Sequence, residues 1–242
     1  MQQTSALYKE IWANPNHWSE VKVNINGVDY DEHDLMTVRI KSDAFSANTL
    51  TIGAAPVASC HVDLISDTMT GNDLSGLIPA GAKIVIYERL HGITSGQAEQ
   101  VSEWLVQGNF YVDYRENMAG TGQLGLDGLD ALAKADAAYP AVEHEWPYAD
   151  IDVVREIAAE IGVELDPVTV SVVWRRYPVA IPTDYTMREV LGHIAAMYAG
   201  NFIITKDEKL LLLQISSLPA ESNLLINNAG DFISVGGDRI IV

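Results

Sequence analysis

The alternation of apolar and polar residues is longest in residues 103–116, "EWLVQGNFYVDYRE". One parity is mostly polar, whereas the other is mostly apolar and carries Trp104, Val106, Phe110, Val112 and Tyr114. A period of two places successive side chains on opposite faces of a β-strand. The stretch therefore predicts a strand with one apolar face and one mostly polar face.

Shorter segments in the first half of the chain repeat this pattern: "VKVNI" (21–25), "MTVRI" (36–40), "SCHVDLI" (59–65) and "AKIVIYERL" (82–90). In residues 59–65 the predicted apolar face carries Cys60, Val62 and Leu64. Asn26-Gly27 supplies the positive φ values of a tight hairpin turn. Half-apolar strands at short spacing, joined by loops rich in Gly, Asn, Asp and Ser, favour an antiparallel barrel or sandwich.

Helical periodicity occurs on both sides of these strands. A short helix is predicted over residues 5–12, and Pro15 ends it. Further along, Asp150 is suited to cap a helix that runs to about Ile161, with Gly162 as its stop. The predicted apolar stripe of this helix is Ile151, Val154, Ile157, Ala158 and Ile161.

The last third of the chain predicts a compact α+β module. Thr186 and Glu189 have the Thr-x-x-Glu spacing of a capping box, and the helix that they open ends just before Gly200. "VTVSVVW" (168–174) predicts a strand, and residues 201–215 predict a hairpin that turns at 206–209. One or two more strands are expected in residues 223–242. The inward positions of the second helix are Met187, Val190, Leu191, Ile194 and Tyr198.

The glycines that follow the long strand allow two interpretations. Gly120-x-Gly122-x-x-Gly125 matches the dinucleotide-binding fingerprint between a strand and a helical pattern over about 126–138. However, Rossmann strands are apolar on both faces, and the acidic residues about twenty positions further on, Glu143 and Glu145, lie in an irregular stretch. We therefore predict a hairpin, with a turn at 118–122 and a strand that returns before the helix.

Composition narrows the class of protein. The chain has 242 residues, 48% of them hydrophobic and 20% charged, as in an ordinary globular protein. No apolar run approaches the roughly 20 residues that span a bilayer, and the N-terminus does not have the pattern of a secretory signal. Cys60 is the single cysteine, so an internal disulfide is excluded and synthesis in the cytoplasm fits.

The net charge of −18 is unevenly distributed. Residues 116–167 hold 12 Asp/Glu against 2 Lys/Arg, which gives −10. An acidic surface repels phosphate backbones, so sequence-specific nucleic-acid recognition is not expected. Two interpretations remain open: the charge keeps the protein in solution, or it forms a surface that DNA passes without adhering.

The residues that could carry chemistry form no recognisable motif. His33, His144 and the pair Glu189 and His193 lack a second histidine at metal-ligand spacing, and the sequence has neither a nucleophile elbow nor a P-loop. Cys60 is interpreted as a small buried hydrophobe. Five tryptophans could anchor an interface, although core packing is the commoner use: Trp12, Trp18, Trp104, Trp146 and Trp174. We predict no catalytic, cofactor-binding or metal-ligating residue and no cofactor.

Four segments taken in order resemble the N-terminal part of prophage tail proteins of Gram-positive bacteria: "SEWLVQGNFYVDYRE", "LGLDGLDALAKADAAYP", "WPYADIDVVREIAAEIGVELD" and "DYTMREVLGHIAAMYAGNFIITKDEKLLLL". These are similar to the baseplate-hub, or tail-tube-initiator, proteins of tailed phages. The resemblance runs from about residue 5 to residue 213. It implies an α+β chain in which an antiparallel tail-tube-type β-barrel with a helix carries a small inserted α+β domain.

The resemblance also implies a domain order and a role. It gives an N-terminal helical segment (1–15), a first tube-like barrel (16–140), an α+β module (148–215) and the start of a second barrel (216–242), which is expected to be truncated because relatives continue. Such a protein is not an enzyme. It forms a homo-oligomeric ring, commonly a trimer, that links the tail tube to spike or receptor-binding proteins in the virion tail, after assembly in the host cytoplasm.

In such a ring DNA passes through the lumen without specific binding. Asp63, Asp113 and Asp127, on predicted polar strand faces, are candidates for lining the lumen, although a solvent-facing surface would have the same pattern. The alternatives are a tail-associated peptidoglycan-degrading enzyme and a carbohydrate-binding adhesion module. The enzyme predicts a cleft with two close carboxylates, and the adhesion module predicts an exposed aromatic platform.

Overall fold

The computed structural model describes residues 4–42, 44, 51–66, 71–93, 98–117, 121–140, 146–180, 182, 184–215, 234–235 and 238–239. The architecture is α+β and mostly antiparallel, as predicted. The strands are β1 (His17–Ile25), β2 (Val28–Tyr30), β3 (Leu35–Lys41), β4 (Ser59–Ile65), β5 (Lys83–Gly92), β6 (Gln100–Val101), β7 (Leu105–Asn117), β8 (Gln123–Leu129), β9 (Tyr148–Ala149), β10 (Glu164–Leu165), β11 (Pro178–Val179), β12 (Gly200–Ile204), β13 (Lys209–Gln214), β14 (Ser234–Val235) and β15 (Asp238–Arg239).

Helices are fewer and flank these strands. They are α1 (Ala6–Ala13), α2 (Gly71–Leu77), a 3₁₀ helix (Ala131–Asp136), α3 (Asp150–Ile161), α4 (Pro167–Val172) and α5 (Met187–Met197). Ser5 caps α1, as its Oγ accepts from the Tyr8 amide at 3.0 Å, so the predicted N-terminal helix is confirmed. Within the described residues, none of the helices has the length and apolar character needed to cross a bilayer.

The first sheet has the order β2-β1-β5-β7-β8-β4-β3, with β6 paired to β5. All its pairs are antiparallel, and the β1–β2 hairpin turns at Asn26 and Gly27, whose φ values are 50° and 90°. The predicted hairpin is confirmed, because β7 pairs with β8 and Gly125 lies inside β8 beside Glu116 and not at the start of a helix. Gly120 lies outside the described residues, and residues 126–129, where the fingerprint interpretation begins a helix, belong to β8.

One apolar core lies inside this sheet. The long strands, α2 and the segment that follows α2 contribute Val23, Ile25, Cys60, Val62, Leu64, Leu74, Ile78, Ala82, Ile84, Ile86, Phe110, Val112, Leu124 and Leu126. The edge strands pack against the same core through the half-buried Tyr30, Leu35 and Val38. The sheet therefore curves around a common interior, although no hydrogen-bonded ladder joins β2 to β3 within the described ranges.

Two β-bulges change the faces of the longest strand. The register shifts at Gln107 and again at Asp113, because each position adds one residue to β7 without a partner on the neighbouring strand. Between the bulges, Phe110 and Val112 face the core as predicted.

Outside the bulges the predicted parity is wrong. Leu105 faces inward and is buried, while Val106 pairs with the outward Tyr87. Tyr114 pairs with Asp127 on the outer face and is 57% exposed. The period of two holds only where each residue has a partner, and an unpaired residue moves every later side chain to the opposite face.

A second core is formed by α3, α5, the 3₁₀ helix and the β12–β13 hairpin. All five predicted inward positions of α5 and the predicted stripe of α3 are buried. The capping box is present, since the Thr186 hydroxyl accepts from the Glu189 amide at 3.2 Å and the Thr186 amide donates to the Glu189 carboxylate at 2.8 Å. Gly162 ends α3 with a φ of 79°.

Two local predictions in this region are corrected. Residues 168–174 are not a strand: α4 occupies Pro167–Val172, because Asp166 accepts from the Val168 amide at 2.8 Å and Pro167 fits the first helical turn. Asp150 does not cap α3 but is its first residue, and its buried carboxylate accepts from the Tyr198 hydroxyl at 2.6 Å. Gly200 follows α5 as predicted and begins β12, and Ala199 before it has a φ of 52°.

The connection between β3 and β4 joins the two cores. Ala54 forms a parallel bridge with Asn201 at the edge of β12, and the Phe202 amide donates to the Ala54 carbonyl at 2.9 Å. Ala55 is buried in the second core. Beyond residue 215 only the short β14–β15 hairpin is described, and the division into four domains stays a prediction.

Candidate functional surface

Two of the three aspartates predicted to line a lumen lie on the outer face of the first sheet and contact one histidine. His61 Nδ1 lies 2.7 Å from Asp127 Oδ1, and His61 Nε2 lies 3.2 Å from Asp63 Oδ1. The strands fix this arrangement, because His61 and Asp127 are register partners on β4 and β8. The hydrogen bond to Asp127 is the main cause that raises the pKa of His61, against the opposing effect of burial.

The third aspartate, Asp113, is the unpaired residue at the second bulge of β7, next to Tyr114, the register partner of Asp127, and is exposed. The same outer face carries the exposed Arg39, which is the register partner of His61 on β3. The predicted surface therefore exists as an exposed polar face, but its carboxylates alternate with a histidine and an arginine.

A second cluster covers the outer face of β1 and β5. The Glu20 carboxylate accepts from Arg89 Nε and lies 2.5 Å from His91 Nε2, while His91 Nδ1 lies 2.5 Å from Glu99. Burial would lower the pKa of His91, but the hydrogen bonds to Glu99 and Glu20 raise it. Trp18 stacks on the His91 ring at 5.3 Å between centroids. Glu99, just before β6, links that strand to the sheet through His91. The charged groups of this cluster are paired with one another.

The middle of β7 is covered by the other part of the molecule. The turn of the β12–β13 hairpin lies on it: Asn109 donates to the Lys206 carbonyl at 2.8 Å, and the Lys206 ammonium donates to Gln107. Glu208 pairs with Lys83 and accepts from the Tyr111 hydroxyl at 2.5 Å. Burial, followed by the hydrogen bond to Glu208, raises the pKa of Tyr111 to about 12. This part of the outer face is therefore covered by the chain itself.

The remaining candidate residues form no site in the described part of the chain. No group of three or more His, Cys, Asp or Glu side chains there could hold a metal ion. His33 is exposed and lies beside Asp31, and His193 packs edge-on against Tyr185. Glu143, His144 and Glu145 lie outside the described residues. That the chain has no catalytic, cofactor or metal residue stays a prediction.

Cysteine and tryptophan give different outcomes. Cys60 is 4% exposed and burial raises its thiol pKa to about 12, which fits the interpretation as a small hydrophobe. Three tryptophans are not core residues, because Trp12, Trp18 and Trp174 are 59%, 45% and 69% exposed. Trp12 lies in the short helix α1 and Trp174 follows the short helix α4, so neither has a clear helical pattern around it, whereas Trp18 lies near the start of β1, where Ser19 is exposed as well.

Two solved structures are similar to this chain. The 43 kDa tail protein of prophage MuSo2 from Shewanella oneidensis has a TM-score of 0.55 at 14% identity, with 86% of this chain and 59% of that chain covered. The tail protein from Neisseria meningitidis MC58 has a TM-score of 0.50 at 17% identity, with coverage of 85% and 54%. The chain thus spans little more than half of either protein. No family model and no curated protein sequence matches it.

The comparisons agree with the segments of the sequence that resemble tail proteins. Both structures cover more than four fifths of this chain, so the likeness includes both apolar cores. At identities of 14% and 17%, the likeness shows a common fold, but it does not show that individual residues have the same role. The chain shares its fold with these two prophage tail proteins, and the predicted resemblance to phage tail proteins is confirmed at the level of the fold.

Proposed function

We propose that this protein is a structural component of a phage or prophage tail, a baseplate hub that links the tail tube to the spike or host-recognition parts. The observation that supports this most is the fold shared with two prophage tail proteins over more than four fifths of the chain. In this proposal the chain is not an enzyme, and it acts by assembling with copies of itself into a ring and with other tail proteins.

The first sheet is proposed to be the tube-type barrel, formed within residues 16–140. Its edge strands β2 and β3 are consecutive in the chain and both pack on the common core, and the turn between them is held by the Leu35 amide donating to the Asp31 carbonyl at 3.0 Å. Residues 148–215 are the inserted α+β module, and 216–242 begin a second barrel. A closed wall protects strand edges that would otherwise pair with other chains.

The outer face that carries Asp63, Asp127 and Asp113 is the proposed lumen lining. The β12–β13 hairpin covers the middle of β7, whereas the side chains of His61, Asp63 and Asp127 are 36%, 31% and 53% exposed. Carboxylates at a channel wall repel phosphates, so DNA would pass without specific binding. A structure of the assembled ring with a neutral or basic bore would contradict this lining.

The tail location is tested in virions. A phage lacking this gene, complemented with an epitope-tagged copy, is expected to yield particles with gold-labelled antibody at the head-distal end of the tail. Particles that are complete and infectious without the gene would contradict the proposal.

A turbidity assay tests the peptidoglycan-degrading alternative. The purified chain is expected to leave a suspension of bacterial cell walls turbid, and a fall in turbidity would favour the enzyme.

A further inference from the structure

An exposed tryptophan with two arginines forms a patch on the α+β part. Trp174 is 69% exposed, and the Arg175 guanidinium lies 5.6 Å from its ring centroid. Val168 and Val170 on α4 are 49% and 40% exposed beside this segment in the chain. These four residues, with Arg176, are called the tryptophan patch. Tryptophan and arginine are the residues that most often dominate binding energy in protein interfaces.

The tryptophan patch is held in place by the fold. Val173, directly before Trp174, is 1% exposed in the second core, and its amide donates to the Thr169 carbonyl at 2.9 Å. Thr169 itself is buried, with its hydroxyl donating to the Leu210 carbonyl at 3.0 Å. The backbone that carries Trp174 is therefore anchored, so that binding has to order only its side chain.

The charge of the tryptophan patch is opposite to that of the chain. Arg155 and Arg176 both donate to Asp152 at 2.7 Å, and Arg175 donates to the Tyr177 hydroxyl at 2.8 Å. Arg175 and Arg176 give the tryptophan patch a charge of +2, whereas the adjoining Arg155, Asp152 and Asp166 together add −1, in a chain of −18. A partner that fits this patch therefore presents carboxylates around an apolar recess.

The first sheet has such a recess. A cavity of about 310 Å³ lies between the β1–β2 hairpin and α2, lined among others by Tyr30, Asp34 and Ile78. Its lining residues Val28 and Leu77 are 54% and 59% exposed. At about 30 Å³ of liquid per water molecule, this volume corresponds to roughly ten waters. The nine heavy atoms of an indole ring therefore fit in the cavity.

Carboxylates lie beside this cavity. The turn from β2 to β3 carries Asp31 and Glu32, both exposed, and leads into Asp34, which lines the cavity. This acidic turn and the cavity together have the chemistry that complements the tryptophan patch. Both surfaces belong to the same chain.

We propose that the tryptophan patch of one copy docks on the acidic cavity of a second copy, with Trp174 inserted in the cavity and Arg175 and Arg176 facing Asp31 and Glu32. The two surfaces share no residue, so the contact is head-to-tail and forms a ring when the rotation between copies closes. This contact rests on the proposed ring and names the surfaces that build it.

Sedimentation equilibrium of the full chain tests the contact. Wild-type protein is expected to self-associate more strongly at 50 mM than at 500 mM salt, because the contact pairs opposite charges. Trp174→Ala is expected to weaken association about 30-fold or more, while Trp12→Ala, at a second exposed tryptophan, leaves it unchanged. Equal unfolding midpoints of the variants and the wild type exclude loss of folding as the cause.

A charge swap decides the pairing. Arg175→Glu is expected to weaken association at least tenfold, and the double variant Arg175→Glu/Glu32→Arg is expected to recover most of the loss, since each copy carries both surfaces. The contact is overturned if the wild-type chain remains a monomer at 100 µM. It is also overturned if Trp174→Ala and Arg175→Glu leave the association constant unchanged. Rings insensitive to these variants, together with tail labelling in virions, would overturn this contact alone and leave the proposed function standing.

Discussion

Asp130 connects the two cores through a single side chain. Its carboxylate is 4% exposed and accepts from the Ala58 and Leu132 amides, both at 3.0 Å, so that it links the start of β4 to the 3₁₀ helix. Both hydrogen bonds favour the charged carboxylate, yet burial outweighs them and raises the Asp130 pKa from 3.8 to about 6. The same residue borders a cavity of about 250 Å³ between the sheet and the β12–β13 hairpin.

The raised pKa gives the folded protein a pH dependence of defined sign. The native state binds the Asp130 proton more tightly than the unfolded chain, so this contribution to stability is fully present below about pH 4 and is lost as the pH rises through about 6. Asp130→Asn is uncharged at every pH. Between pH 4 and pH 7 the stability of the variant relative to the wild type is therefore expected to rise by on the order of 2 kcal/mol.

Urea unfolding at pH 4, 5.5 and 7 measures this difference. The same change at the exposed Asp184 controls for the loss of one acidic side chain. The prediction is contradicted if the difference in free energy of unfolding between Asp130→Asn and the wild type is the same at all three pH values. The Asp130 carboxyl would then have the same pKa in the folded and the unfolded chain. The sequence marks Asp130 only as one of 33 acidic residues, and its burial follows from the meeting of two elements that are distant in the chain.

At the scale of elements, the edge of β12 is completed by a loop. Asn201 is 1% exposed, and its side chain accepts from the Ala54 amide at 2.9 Å and donates to the Ala44 and Thr51 carbonyls at 2.8 and 2.7 Å. One amide side chain thus satisfies three backbone groups of the β3–β4 connection. Gly53 lies so close to α5 that a Cβ there would stand 2.8 Å from Ala196 Cβ.

Asn201→Ala is expected to destabilise the protein by about 3 kcal/mol, because buried backbone groups lose their partner and each unsatisfied group costs about 1–3 kcal/mol. Chemical denaturation measures the loss, and Asn16→Ala on the exposed surface is the matched control. Amide exchange is expected to accelerate most at Ala54 and Phe202, which bond across this edge. A variant as stable as the wild type would show that water replaces the three contacts.

The elements differ in how well the sequence predicts them. The α5 capping box, the turn at Asn26 and the α3 stop at Gly162 depend on local chemistry, and each is confirmed. The face on which Tyr114 lies depends on the bulge that arises where β7 pairs with β8. Periodicity along the sequence alone therefore cannot predict it. Residues 168–174 are rich in valine, but the Asp166-Pro167 start determines a helix.

At the scale of the whole molecule, the two cores are also joined by charged contacts. The Glu208 carboxylate bonds Lys83 and Tyr111 on the sheet, and the Lys134 ammonium lies 4.0 Å from the Tyr111 ring centroid. Burial opposes ionisation of Glu208, but its hydrogen bonds to Lys83 and Tyr111 lower its pKa overall. The β12–β13 turn is thereby fixed on β7.

A double-mutant cycle on Lys83→Met and Glu208→Gln measures this connection. The coupling energy is expected to be about 0.5–1 kcal/mol and to fall with added salt, because the Lys83 and Glu208 side chains are 42% and 21% exposed and partly screened. The pair Lys209 and Glu164, 3.6 Å apart with Glu164 83% exposed, is the control and should show less coupling. Equal coupling in both pairs would contradict a specific role for the Glu208 contact.

The β3–β4 connection constrains how such a gene can recombine. A breakpoint between the first sheet and the α+β part looks harmless in a linear map, yet residues 51–55 belong structurally with Asn201 and Phe202. A hybrid that takes residues 51–55 from one parent and β12 from another combines a strand edge and a loop that do not match each other. Viable mosaics are therefore expected to co-inherit both pieces, a linkage across about 150 codons that shuffled libraries of tail genes would reveal.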